Sequence, residues 1–361
     1  MGKAALNKVI STTNKIPAIV VIILSIMGSF GRYYDPITHP FMAYLTTVLP
    51  VLLLVDLFFF IFYISTRHKI YWLCLVAILA NFQYLRAICQ IQSTPAEQAN
   101  DITIATYNVH GFSRDGMGYR ARKINNLMRS NKVDIICMQE FNDNHYFTLD
   151  SIRKTFQAYP YYHIPKNNKQ KTRVAIFSKY PIVQQVYLSF GDTDNCGQWV
   201  DILAKGQQFR VYNLHLQTTA IVKNSYLKGK RLIGEASEQR KAMVQLNYGI
   251  VDNIQIRSQQ AREVAESTDT CQWPVIVSGD FNTLPSTYVY HLFSQRLKDG
   301  FISCGKGYAY SINSFLRLLR IDYIFHSNDI TGVRYYSSNE PYSDHNPVFM
   351  RYRYQTNNQT K

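Results

Sequence analysis

The sequence predicts two structures in succession: an all-α membrane region over residues 1–90 and, after a linker over 91–100, a two-sheet α/β sandwich with outer helices over 101–361. Three observations carry this. Apolar runs close to 20 residues long crowd the first 90 positions, the length that a hydrocarbon core of about 30 Å requires. Beyond residue 101, short β-branched runs outnumber helical patterns, which argues against a doubly wound parallel sheet. Polar side chains then recur at the ends of those runs.

The membrane region is expected to hold three helices, at about 16–34, 41–64 and 70–89. Ile16 to Phe30 is almost uninterrupted apolar chain between Lys15 and Arg32. The further spans that follow argue against a cleavable signal peptide. Phe41 to Ile64 is the strongest run, broken only by Asp56, and Ile70 to Ile88 is diluted by Asn81, Gln83 and Arg86. A lone carboxylate such as Asp56 fits a hydrogen bond at a helix contact. The N-terminal tail and the Arg67–Lys69 loop are basic, so both are expected in the cytoplasm, with the multi-pass chain in the plasma or inner membrane and the C-terminal domain extracytoplasmic.

Residues 101–361 are long enough for a substantial core. Strands are expected at Ile102–Asn108, Val133–Glu140, Arg173–Ser178, Trp199–Ala204, Phe209–Leu216, the run from Val275, Arg320–His326, Gly332–Ser337 and Val348–Tyr354. Helices are expected at Arg122–Arg129, where Ile124, Leu127 and Met128 share a face, and from Glu235 to about Ala265. Val275 to Val277 is continuous and β-branched, as strands covered on both faces are, and Pro274 and Gly279 punctuate it. Asp280 and Asn282 flank Phe281, so an extended chain projects both to one face.

With 39 Lys and Arg against 24 Asp and Glu, the formal net charge is +15. Such a balance suits a polyanion or an anionic lipid surface. The six cysteines show no metal-finger spacing, so cysteine points to no zinc site, and their pairing stays open.

Polar groups gather at the strand ends: TYNVHG with Asn108, MQE with Glu140, NLHLQ with Asn213 and His215 on one face, SGDFNTLP with Asp280 and Asn282, RIDYIF with Asp322, and SDHNPV with Asp344 and His345. Taken singly, each could cap a turn or sit satisfied in a core. In this order, they resemble the endonuclease/exonuclease/phosphatase superfamily, which includes DNase I, abasic-site endonucleases, neutral sphingomyelinases and inositol-polyphosphate phosphatases; a membrane-tethered bacterial-type member is expected. The resemblance covers essentially all of 101–361 and implies the DNase I-like four-layered α/β sandwich. Arg173 stands where relatives often have glycine.

The resemblance implies a metal-dependent phosphoric ester hydrolase. Hydrolysis of a phosphate ester must neutralise charge on the phosphoryl oxygens while water attacks in line. Glu140 and Asp344, helped by Asn108, offer hard oxygen ligands for Mg²⁺ or Mn²⁺. His345, positioned by Asp322, is expected to act as base or to carry positive charge toward the phosphate. Asp280 is the alternative for orienting or deprotonating the water, with Asn282 fixing the phosphate and His215 donating to an oxygen. Arg173, Asn213, Tyr310 and Arg320 complete the set as candidate substrate-binding residues.

Basic and apolar residues interleave in Thr218–Gly234 and Gly305–Arg320, a mixture that suits a lipid headgroup, nucleic-acid phosphates with stacked bases, or a loop packed on its own domain. Tethering at a bilayer favours a lipid headgroup monoester or diester. The alternatives are an extracytoplasmic nuclease acting on DNA or RNA and a catalytically silent binding module.

Overall fold

The computed structural model describes residues 15–114, 117–166, 173–191, 193–218 and 236–354. The chain divides into two compact units, residues 1–86 with 284–291 and residues 87–283 with 292–361.

In the first unit, α1 (Lys15–Gly31), α2 (Pro40–Ser65) and α3 (Tyr71–Ala80) pack together. Small residues let α1 approach α2 closely. A Cβ on Gly31 would lie 2.4 Å from the Thr46 methyl, and one on Gly28 2.9 Å from Leu49. Asp56 is fully buried beside Ser25.

Two expected spans come out differently. The first ends at Gly31 rather than near residue 34, because Asp35 organises a turn whose carbonyl accepts from Thr38 and His39. At 17 residues it is about 25 Å long. The third is not one helix: α3 and α4 (Phe82–Ile88) meet at a 62° bend, and Cys89 already belongs to a strand. Asn81 sits at the break, its amide donating to the Ala77 and Ser25 carbonyls. Among the described residues one helix, α2, is long and apolar enough to cross a membrane; a second requires α3 and α4 to count as one span.

The second unit is a mixed α/β fold of two six-stranded sheets with helices outside. Its strands are β1 (Cys89–Ile91), β2 (Ile102–Asn108), β3 (Ile135–Phe141), β4 (Tyr161–His163), β5 (Arg173–Ser178), β6 (Ile182–Ser189), β7 (Cys196–Ala204), β8 (Gln207–His215), β9 (Val275–Asp280), β10 (Lys298–Asp299), β11 (Lys306–Tyr308), β12 (Asp322–His326), β13 (Ile330–Ser337) and β14 (Val348–Tyr354). The helices are α5 (Tyr119–Ser130), α6 (Leu149–Thr155), α7 (Ala236–Asp269), α8 (Tyr288–Ser294), which straddles the division, and α9 (Gly300–Cys304). One sheet runs β13-β14-β2-β3-β5-β4 and the other β10-β12-β9-β8-β7-β6, while β1 pairs with β11 in a two-stranded sheet. The expected linker therefore begins inside β1. Short elements such as β4, β10 and α9 carry too few residues to show a period.

Alternation decides the layers. Ile102 and Ile104 of β2 face the second sheet's Val200, Ile202, Phe209 and Val211, while Ala105 and Tyr107 face Ala121, Ile124 and Met128 of α5. Each fully buried aliphatic side chain there contributes about 1.5–3 kcal/mol. Alpha-7 covers the other sheet, its Ala261, Val264 and Ala265 buried at helical spacing and the Ser267 carbonyl accepting from the Tyr212 hydroxyl at 3.3 Å.

At the far end of β2 the inward position is Asn108, and this end of the sandwich carries the polar motifs. Gly279 is required here. Its φ is +144°, and a Cβ would lie 2.0 Å from the Leu214 carbonyl oxygen, so no side chain fits between β8 and β9.

Candidate active site

Three adjacent strands of the second sheet set one side of the site. The parallel pairing of β8 with β9 puts His215 opposite Asp280, and the antiparallel pairing of β9 with β12 puts Asp322 opposite Asp280. The first sheet supplies Asn108 and, one residue past its partner Gln139, Glu140. Glu140 sits in an irregularity of β3 at φ +50°, a conformation that costs a non-glycine residue on the order of 1 kcal/mol. The twist turns its carboxylate out of the ladder toward the site.

Asp280 Oδ2 is the hub. It accepts from Asn108 Nδ2 at 3.0 Å and lies 3.6 Å from His345 Nε2 and 3.9 Å from His215 Nε2. Asn108 Nδ2 also reaches Glu140 Oε1 at 3.3 Å, and its oxygen accepts from the His110 backbone at 3.0 Å. The Asn108 oxygen thus holds the His110 backbone, and its amide bridges two carboxylates.

His345 Nδ1 and Asp322 Oδ2 are 2.9 Å apart, both groups buried. Burial disfavours the charged imidazolium, but the carboxylates of Asp322, Asp280 and Asp344 outweigh it and push His345 up to about 10. Ser311 Oγ accepts from the Asp322 backbone, Ser343 Oγ accepts from the His345 backbone and donates to the Asn108 carbonyl, and Ile312 bridges to His345. These serines were not singled out from sequence, since a loop serine carries no pattern.

His110 was also missed, although it lies two residues beyond Asn108 in the same motif. Half-exposed at φ +46°, it places Nδ1 3.1 Å from Asp344 Oδ1 and 3.7 Å from Glu140 Oε2. The hydrogen bond that its ring N–H donates to Asp344 raises its pKa above the ordinary value. Burial opposes ionisation of Asp344, yet the His110 hydrogen bond and the nearby His345 charge hold that carboxyl below its usual range. Behind the site Arg257 of α7, almost fully buried, donates Nε to the Gln217 carbonyl at 2.6 Å. Burial lowers it to about 10, and Asp280 opposes that shift.

Three expectations are corrected, those for Asn282, Asn213 and Arg320. Asn282 at φ +50° leaves the extended conformation, so alternation does not set its direction; its amide donates to the Leu216 carbonyl at 3.0 Å. Asn213 is fully buried between the sheets, hydrogen-bonded to Gln139, Met138 and Ala175. Arg320 is likewise inside the core, forked onto Asp299 at 2.6 and 2.7 Å and bonded to the Tyr335 hydroxyl, far more a structural ion pair than a substrate contact. Arg173 at the start of β5 pairs with Asp143. Tyr310 is partly exposed on the loop before Ser311. The basic stretch after Thr218 lies outside the described residues. A cavity of about 480 Å³ beside Trp273 and Arg296 opens at the other end of β9 and involves none of these groups.

The donor set fits a hard dication. Glu140 and Asp344 are partly exposed carboxylates on either side of His110. His215 is almost fully buried, and neither ring nitrogen has a hydrogen-bond partner among the described residues, while Nε2 stands 3.7 Å from Glu140 Oε1. Unpartnered nitrogens facing carboxylates mark a place for bound water, cation or phosphate oxygen. Ligating atoms of Asp280, Asp322 and His345 lie within 4.8 Å of one another. There, however, the imidazole already occupies Asp322, so the Glu140–Asp344 side is the better fit.

The family model described as the Endonuclease/Exonuclease/phosphatase family matches residues 105–345. The chain belongs to that family. It is accordingly a metal-dependent phosphoric ester hydrolase. Residues 10–88 match a model described as a domain of unknown function. No curated protein matches the chain. Among solved structures, the mannosyl-6-phosphatase of Bacteroides thetaiotaomicron superposes with a TM-score of 0.50 at 20% identity, over 70% of this chain and all of that one. The D. rerio TDP2 humanized by 14 mutations gives 0.52 at 15% identity, over 71% of this chain and all of that one. An endonuclease/exonuclease/phosphatase from Beutenbergia cavernae gives 0.51 at 18%, over 71% and 72%. At these identities the likeness is one of fold, the DNase I-like sandwich of two sheets flanked by helices.

Proposed function

We propose that this protein is a membrane-anchored phosphoesterase that uses Mg²⁺ or Mn²⁺ to hydrolyse a phosphate ester in a lipid headgroup. The supporting observation is a combination: an acidic, histidine-lined site with unpartnered His215 nitrogens, in a chain that also carries the 26-residue apolar helix α2. The phosphatase neighbour acts on a sugar phosphate and TDP2 binds a single-strand DNA product, so phosphate-ester chemistry is common ground while the leaving group differs.

In this reading Glu140 and Asp344 hold the dication, which supplies charge neutralisation at the phosphoryl oxygens. Asn108 fixes Glu140 and Asp280 relative to each other. Asp280 Oδ2 orients the attacking water. His345, held cationic by three carboxylates, directs Nε2–H at a non-bridging oxygen while Asp322 keeps its Nδ1–H. His215 donates beside it, and Asn282 holds the turn at Leu216. Helices α1 and α2 and the bent α3–α4 pair cross the bilayer, with the tail and the Arg67–Lys69 loop cytoplasmic and residues 101–361 outside.

The test offers full-length protein phospholipid and sphingolipid vesicles, inositol phosphates, plasmid DNA and RNA, each with Mg²⁺ or EDTA. Metal-dependent release from vesicles is expected; cleavage of DNA or RNA without lipid turnover overturns the substrate and leaves a nuclease, and silence throughout leaves a binding module. A reporter fused after residue 100 reads topology, and activity of a cytoplasmic reporter there would overturn the orientation.

A further inference from the structure

The two-stranded sheet formed by β1 and β11 has one face that is exposed among the described residues. In its register Cys89 pairs with Tyr308 and Ile91 with Lys306, so antiparallel geometry puts these four side chains on the same side, while Gln90 points in. All four are exposed, Ile91 at 95% and Tyr308 at 44%. The Tyr308 hydroxyl donates to the Leu318 carbonyl at 2.5 Å, which ties a second apolar element to this face. There the 314–318 turn holds Leu316 at 88% exposure and Leu318 at 39%, with Arg317 between them. Leu316 and Arg317 both have positive φ, 57° and 59°. A left-handed conformation at two consecutive non-glycine residues is costly, and here it presents a leucine to the outside.

We propose that this lip, Ile91, Tyr308, Leu316 and Leu318 flanked by Lys306 and Arg317, is seated in the headgroup region of an anionic bilayer. The proposal rests on the reading that the apolar helices lie in the membrane. Chain reach supports it: β1 starts at the residue after α4 ends, so Ile91 lies at most about 10 Å along the backbone from Ile88. That distance is comparable to the depth of one interfacial layer. The composition is that of an interfacial anchor, with aliphatic side chains to enter the acyl boundary, a tyrosine at headgroup level and two cations for lipid phosphates. The lip is also continuous with the site. Three residues after β11, Ser311 accepts from the Asp322 backbone, and Asn313 donates its backbone N–H to the Asp344 carbonyl at 2.8 Å. Seating it would present headgroups to the groups that hold His345 and Asp344.

The test uses full-length protein carrying C89S and C271S, reconstituted in mixed phosphatidylcholine–phosphatidylglycerol vesicles and spin-labelled at one of three added positions. L54C reports α2, L316C the lip, and V183C an exposed position of β6. Power saturation compares accessibility to oxygen with that to an aqueous nickel chelate. The expected result is an oxygen-to-chelate ratio at 316 severalfold above that at 183 and approaching that at 54. A lipid signal at 54 with an aqueous signal at 316 overturns the lip and leaves the membrane reading standing; an aqueous signal at 54 overturns both. L316E then has to lower turnover of a vesicle phosphoester about tenfold, the loss of one anchoring side chain, and leave p-nitrophenyl phosphate turnover unchanged. Equal loss on both substrates counts against the lip.

Discussion

Asp280 and Asp322 stand directly opposite each other on neighbouring antiparallel strands, two buried carboxylates in register, and His345 is the group that reconciles them. Its Nδ1 is 2.9 Å from one and its Nε2 3.6 Å from the other. Without the imidazole, the pair would be two like charges in a low-dielectric site, a costly arrangement. With it, one positive charge lies between two negative ones.

Removing one anchor should therefore disable His345 without unfolding the domain. Asp322→Asn is expected to cut kcat by about 10²–10³, the span typical of losing one preorganised donor to a phosphoryl oxygen, with KM little changed. Steady-state kinetics with Mg²⁺ checks this, and an Asp322→Asn enzyme of near-normal kcat would refute the assigned pair.

Metal binding should be visible in stability. A dication at Glu140 and Asp344 binds only the folded chain, so metal at a hundredfold excess over Kd raises stability by about 2.7 kcal/mol. EDTA should lower the Tm of the wild type. Glu140→Gln should weaken Mg²⁺ affinity about tenfold or more, as altered metal sites do, and shrink the metal-dependent Tm shift. An unchanged shift in that variant would move the metal elsewhere.

Arg320→Ala should be a folding defect, not a substrate-affinity defect. It strips Asp299 of its bidentate partner within the core, and breaking a buried pair costs about 3–5 kcal/mol. Chemical denaturation would show the loss, while KM of whatever protein folds should stay near the wild-type value. A raised KM with unaltered stability would restore Arg320 to the substrate.

The thiols give a pH test. Burial pushes Cys137 and Cys304 up to about 12, and burial with a smaller opposing hydrogen bond from Tyr187 does the same to Cys196, from an ordinary 9.0. The folded chain thus keeps these protons where the unfolded chain loses them. Their contribution is fully present below pH 9 and fades as pH climbs toward 12. Urea melts from pH 8 to 10.5 should show falling stability, and a disulfide-exchange reagent at pH 8 should titrate exposed Cys89 ahead of these three. Rapid reaction of Cys137 would contradict its burial.

The sandwich was legible because strands covered on both faces have to be continuously apolar, and the site because polar groups interrupt those runs only at one end. Glu140, Asp280, Asp322 and His345 converge as their motifs implied. What stayed hidden depends on direction. Alternation says that Asn213 shares a face with His215, but not that this face is the dry seam between sheets. Arg320 reads as a rim cation until Asp299, 21 positions earlier, is seen to receive it. Glu140, His110 and Asn282 adopt positive φ, which no periodicity announces. The break at Asn81 was signalled only as dilution of an apolar run, and a side chain that caps carbonyls has no window-averaged signature.

Asn213 has one more consequence. The constellation is split: Asn108 and Glu140 ride on one sheet, His215, Asp280 and Asp322 on the other. The Asn213–Gln139 bond at 2.6 Å, with Asn213 also reaching the Met138 and Ala175 carbonyls, crosses the seam just beneath them. It works as a dowel. Hydrophobic contact alone would tolerate small sliding of one sheet on the other, whereas this pin loses its bonds at once. Together with the Asn108–Asp280 bond at 3.0 Å, an amide buried away from the candidate site thus sets the alignment of its two halves.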